Sequence, residues 1–227
     1  MVGRIKVTLS KSKEESLTKS HRRFKKVSKP DKGKFSRLPT WLDNVSYRYE
    51  KEFTNQFPTK YYHYKRGTII RVDFGVNMGS EFSLVHFAIV LDKKDNARKK
   101  TLTVLPLTSK QKKGRYSLGK EIFNQTTTLL ELQINKLEKK ISQASLSELT
   151  QELRDDLNEL KKVVDVYMDY NKESYVRLSD ITTISKFRIK RINKFDPSGK
   201  IKLSEQQMSA ISNQLMKLYI SGKSIDA

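Results

Sequence analysis

The apolar spacing of this chain changes period twice, and that change limits the folds open to it. Residues 68–74, 85–91 and 100–107 are short runs rich in β-branched and aromatic side chains, the mark of strands. From 127 to 168 apolar residues recur at three and four positions instead, the period of helices. Leu130, Ile134, Leu137 and Ile141 make one stripe. Leu146, Leu149, Leu153, Leu157, Leu160 and Val164 make a second. Strand character returns at 175–178 and 181–184. A chain in this order is α+β, with a helical hairpin over 127–168 projecting from one sheet. Strands close in sequence with short connections pair antiparallel. Residues 92–99 form a charged turn, and Tyr116-Ser117-Leu118 with Glu121-Ile122-Phe123 reads as a hairpin about Gly119.

Local signals mark the helix ends. Ser145 with Glu148 is a capping box that restarts the second helix of the insert. Ser204 with Gln207 opens a last helix whose apolar face is Ile211, Leu215, Leu218 and Tyr219, and Gly222 stops it. Upstream, Pro39 suits a first helical turn. Trp41, Leu42, Val45, Tyr49 and Phe53 then share one face of an amphipathic helix over 39–58 that Pro58 closes. The aromatic and basic run 61–66 is read as an edge segment covering a core rather than a stacking platform for bases.

Residues 1–38 hold 13 Lys/Arg against 3 Asp/Glu and few large apolar groups. Such a segment offsets little of its ordering entropy by burial and reads as a flexible basic arm. It either strengthens binding to a polyanion or solubilises the chain. The whole chain carries a net charge of +21, from 46 basic and 25 acidic residues. Counterion release favours a polyanionic partner, a nucleic acid of either kind, RNA or DNA. An anionic membrane fits less well, for lack of a long apolar span. Without cysteine, disulfides, thiolate catalysis, zinc ribbons and iron–sulfur clusters are excluded. Histidines occur only at 21, 63 and 86, so no metal or other cofactor is expected. The start, Met1-Val2-Gly3-Arg4-Ile5-Lys6, has no apolar signal core and predicts a cytoplasmic protein.

Candidate chemistry gathers at strand ends. Gly79, Ser80 and Glu81 form a loop between the first two strands, and His86 begins the second. Pro106-Leu107-Thr108-Ser109 closes the third. Metal-free RNA cleavage uses the 2′-hydroxyl as nucleophile, and needs a base, an acid for the leaving 5′-oxygen, and donors or cations for phosphorane charge. Histidine exchanges a proton near neutrality. Thr108, Ser109 and the glycine loop would hold phosphate, with Arg71, Lys110 and Arg188 supplying charge. Taken singly, a histidine at a strand start is more often structural, and Thr-Ser after a strand is ordinarily a turn.

In their order, these segments resemble the MazF/PemK family of toxin endoribonucleases. The carrying stretches are 65–74, Gly79-Ser80-Glu81, the strand to Asp92, 103–109, 174–178 and 180–189. The resemblance implies a small SH3-like antiparallel β-barrel with a C-terminal helix, built from 59–126 and 169–227. It implies a homodimer, a metal-independent ribonuclease acting on single-stranded RNA, and an antitoxin partner. The family begins its second strand with arginine and proline, where this chain has His86 and Phe87. His86 and Thr108, with Ser109, are then the catalytic candidates. The same departure admits an inactive nucleic-acid-binding or regulatory protein. A third alternative comes from the gyrase-poisoning toxins that share the barrel and grip a protein instead.

Overall fold

The computed structural model describes residues 9–143 and 151–221. It divides into two compact units, one holding residues up to 57 with the loop 75–84, the other holding 58–74 and the chain from 85 onward.

In the first unit, helix α1 spans Lys11–Ser28 and α2 spans Leu38–Phe53, joined through a 3-10 turn at Gly33–Arg37. Within the segment read as a flexible basic arm over 1–38, residues Lys11–Ser28 form helix α1. Lys, Glu, Arg and Leu are good helix formers, and no Gly or Pro interrupts residues 11–28. Leu17, His21, Phe24 and Ser28 line one side of the helix, yet none of its residues is buried. Pro39 sits in the first turn of α2 as expected. The helix stops at Phe53, short of Pro58, because Asn55 adopts a left-handed backbone with φ of 53°. Gly75 is required where it stands: its φ is 86°, and a Cβ there would lie 2.4 Å from Trp41 Nε1. Lys34 Nζ fastens the same loop by donating to the carbonyls of Asn77 at 2.5 Å and Gly79 at 2.7 Å.

The second unit is a mixed helix and antiparallel sheet structure. Its strands are β1 Ile69–Asp73, β2 Val85–Val90, β3 Thr101–Thr108, β4 Tyr116–Gly119, β5 Ser174–Val176 and β6 Thr182–Ser185. The order is β1-β2-β3-β5-β4, with β6 also on β3. One edge of β3 takes β2, and the other is shared. Residues 101–104 pair with β6, and Leu107 and Thr108 pair with β5. Pro106 lies at the changeover, where its missing N–H leaves no ladder bond unmade, while its carbonyl accepts from Arg177 N at 3.0 Å.

The strand ladders do not close into a ring, so the barrel expectation is met only as an open antiparallel sheet. The free edge of β1 is nevertheless covered. Ile189 bridges Val72, Lys190 N donates to Arg71 O at 2.8 Å, and Ile69 N donates to Ile201 O at 2.9 Å. Both faces of the central strands are buried, which is why their sequences read as near-continuous apolar runs.

Helices α3 Glu121–Gln143 and α4 Gln151–Met168 form the insert between β4 and β5, and α5 Glu205–Tyr219 ends the described chain. The insert does not simply project. Leu130 and Leu137 of α3, and Leu160, Val163 and Tyr167 of α4, join Ile69, Ile89, Leu105 and Val176 in one core. Helix α3 starts at Glu121, so the hairpin expected over 116–123 and the domain boundary at 126 are both corrected. Ile122, Thr126 and Leu130 are buried at four-residue spacing, but a window as short as Glu121-Ile122-Phe123 fits either period. The Ser145 and Glu148 capping box, with Leu146, Leu149 and Gly222, lies outside the described residues. The box at Ser204 is present: its hydroxyl accepts from Gln207 N at 3.1 Å and the Gln207 side chain accepts from Ser204 N at 2.9 Å. Leu218 and Tyr219, expected on the apolar face, are about half exposed.

The run 61–66 splits. Tyr64 is buried, Tyr61 meets the Phe187 ring edge-on at 5.2 Å, and Tyr62 faces outward. Burial raises the Tyr64 hydroxyl to about 12, a rise that Arg191 tempers and Tyr62 and Asp95 reinforce. Among the described residues no helix is long and apolar enough to cross a membrane.

Candidate active site

His86 is placed by β2, whose register sets it opposite Val72 of β1. On the other side Ala88 faces Pro106. Two steps further along both strands, His86 comes level with Thr108 on the same face of the sheet, since side chains alternate with period two. Both groups line one cleft of about 180 Å³, together with Ser109. The three catalytic candidates are thus brought together by strand register.

The other residues named from sequence are not gathered there. Gly79, Ser80 and Glu81 belong to the first unit, and the Gly79 carbonyl is taken by Lys34. Arg188 Nη1 donates to Phe74 O at 2.8 Å, a tie that holds the end of β1 rather than a charge offered to the cleft. Arg71 lies on β1 opposite Phe87, and its buried Nε has no hydrogen-bond partner. Lys110 follows the cleft strand, its backbone N–H donating to Thr108 Oγ1 at 3.2 Å. That bond is the ordinary turn role of a threonine, and it leaves the hydroxyl hydrogen available to donate.

The opposite wall comes from the end of the insert. Asp169, Tyr170, Lys172, Glu173 and Ser174 line the cleft between α4 and β5. Tyr175 pairs with Thr108 across the strands, and its hydroxyl donates to Glu173 Oε2. This bond, then burial and the Glu173 charge, raises the Tyr175 hydroxyl above its ordinary range. Glu173, Lys172 and Tyr175 were missed as site residues from sequence. The only local signal is the charged stretch directly before a strand, and it looks like the exposed end of the insert.

Phe87, standing where the resemblance places proline, is buried and gives the cleft an aromatic floor. Its ring meets Tyr170 edge-on at 4.8 Å and Tyr167 at 5.7 Å. Tyr167 is fixed in turn by donating to Asp196 Oδ1 at 2.7 Å. Asp196 is wholly buried and also accepts from Ile192 N at 2.7 Å and Ser198 N at 2.8 Å. Burial, then the nearby Asp196, pushes the Tyr167 hydroxyl far up, so it stays a donor.

The cleft thus gathers a histidine, the hydroxyls of Thr108, Ser109, Tyr170 and Ser174, two carboxylates and a lysine at the ends of antiparallel strands. Comparison with protein families narrows this. Residues 65–164 match the family model of the PemK-like, MazF-like toxin of type II toxin-antitoxin systems. The match takes in His86, Thr108 and Ser109 and ends before Glu173. No curated protein matches the chain.

Proposed function

We propose that the protein is the toxin of a toxin–antitoxin pair and acts as a metal-independent endoribonuclease on single-stranded RNA. One observation carries this reading. His86, Thr108 and Ser109 line a single cleft within the family-matched stretch. In the reaction the 2′-oxygen attacks phosphorus, a 2′,3′-cyclic phosphate forms, and the bond to the 5′-oxygen breaks as that oxygen gains a proton. His86 takes part in the proton transfers, which the family arginine cannot do at neutral pH. Thr108 and Ser109 donate to the phosphate oxygens. The open sheet is read as an SH3-like barrel whose closure is left to the bridges at Ile189 and Lys202. A homodimer, an antitoxin partner, a cytoplasmic location and an accessory polyanion-binding role for the basic first unit belong to the same proposal.

The test is incubation of the purified protein with a long RNA in the presence of EDTA. Cleavage to 2′,3′-cyclic phosphate ends that is lost in His86→Ala supports the reading. Salt-sensitive binding without cleavage supports the second reading, a nucleic-acid-binding protein that has lost catalysis. That reading is favoured by the cleft wall, where Lys172 stands between two acids and no arginine is present.

A further inference from the structure

The family match ends at residue 164, yet half of the cleft wall is built after it. Metal-free 2′-hydroxyl chemistry needs two proton-transfer groups on opposite sides of the phosphate. The matched half of the cleft offers one, His86. The later wall offers two carboxylates, Asp169 and Glu173. They differ in how they are held. Glu173 is clamped by the Tyr175 hydroxyl, and Tyr175 is the cross-strand partner of Thr108. Its position is therefore tied to the strand pair that carries the hydroxyl half of the site. Asp169 lies just beyond the end of α4 and has no such tie to β3.

We propose that Glu173 is the base of this site, held in place by Tyr175, and that His86 acts as the acid. The inference rests on the endoribonuclease reading. Glu173 accepts the proton of the attacking 2′-hydroxyl as the bond from the 2′-oxygen to phosphorus forms. Protonated His86 gives its proton to the 5′-oxygen as that bond breaks, so protons and charge balance over the step. Lys172, the one Lys or Arg among the lining residues, stands next to Glu173 and meets the charge on the non-bridging oxygens. This division explains how the cleft dispenses with arginine: the carboxylate supplies basicity, which frees histidine to be cationic. The polar and charged groups that share the cleft with them are Asp169, Lys172 and Tyr170 from the end of the insert and Thr108 and Ser109 from β3, with Tyr175 of β5 beside Glu173.

The experiment is single-turnover cleavage of a defined RNA in EDTA from pH 4 to 9, with wild type, Glu173→Gln, Glu173→Asp, Tyr175→Phe and His86→Ala. Glu173→Gln keeps an acceptor for Tyr175 and is expected to lose about 100-fold or more in rate, with the acidic limb of the profile abolished. Glu173→Asp keeps that limb at a lower rate. Tyr175→Phe shifts the acidic limb while the plateau falls less. His86→Ala loses cleavage across the pH range. If His86→Ala is inactive while Glu173→Gln retains both the wild-type rate and profile, the assignment of the base is overturned and the endoribonuclease reading stands. If wild type does not cleave, or His86→Ala cleaves as well as wild type, the endoribonuclease reading falls and the inference falls with it.

Discussion

Replacing Lys186 by methionine removes one charge from a closed ion pair and gives a sharp test of how the second unit is held. Lys186 opens the 3-10 turn after β6, and its side chain is 2% exposed against 0% for Asp95. The ammonium donates to both Asp95 oxygens at 2.7 and 2.8 Å, and to the carbonyls of Tyr62 and Asn96, each at 3.1 Å. Asp95 Oδ2 also accepts from Tyr64 N at 2.8 Å. Methionine fills a similar volume but donates nothing. The two carbonyls lose a donor at about 1–3 kcal/mol apiece where no water replaces it. The carboxylate keeps its burial and one backbone N–H. Removing one partner of a buried pair costs about 3–5 kcal/mol, mostly as this uncompensated charge. With a urea m-value of about 3 kcal/mol/M, suited to a large domain, a loss of 4 kcal/mol lowers the midpoint by about 1.3 M. Far-UV circular dichroism is the readout, since the single tryptophan belongs to the other unit. The double variant Lys186→Met with Asp95→Leu should recover much of the loss, because replacing a whole buried pair by apolar groups is often near neutral. A loss under about 1 kcal/mol in the single variant, or simple additivity in the double, refutes the argument.

Gly75→Ala forces a left-handed backbone on alanine and drives its Cβ into Trp41. A loss of about 1–3 kcal/mol is expected, with a shifted tryptophan emission. Phe87→Ala opens the aromatic floor beneath the cleft and should cost about 3–5 kcal/mol in urea unfolding. Tyr167→Phe leaves buried Asp196 one donor short, and a loss of about 1–3 kcal/mol by the same measurement separates this bond from ring packing. In alkali, Tyr64 and Tyr167 both ionise above their unfolded values, so the folded state binds more protons once unfolded tyrosine begins to ionise. Their contribution is complete below about pH 10 and is lost as pH rises through the raised values, toward about 12 for Tyr64. Unfolding midpoints from pH 9 to 12 should therefore fall across that window and recover partly in Tyr64→Phe.

The strands and the last helix were legible because each carries its signal locally: β-branched runs for β1, β2 and β3, a complete capping box for α5. His86 and Thr108 were legible as a pair because their strands are consecutive and their register can be counted. Glu173 and Tyr175 were not, since their nearness to Thr108 comes from a β3–β5 pairing that skips β4 and the whole insert. Lys186 was hidden for a similar reason, its partner being 91 positions away. Helix α1 was not legible from the N-terminal composition, because low hydrophobicity argues only against a core and this helix forms without burying any residue. Arg188 looked like a charge for the substrate. Its geometry makes it a clamp on the end of β1, which no residue pattern announces.

The splice point of the insert has a consequence for how the cleft is assembled. Gly119 and Ser174 pair directly, although the whole of α3 and α4 lies between them. For an unstructured connection of that length, the entropy of bringing the ends together would oppose the pairing. Two antiparallel helices remove most of it, because they return the chain to its departure point by contacts local to the hairpin. The hairpin therefore serves as a folding jig. It delivers Glu173 and Tyr175 to β3 already oriented, and the wall carrying them should gain protection from hydrogen exchange only after α3 and α4 have met.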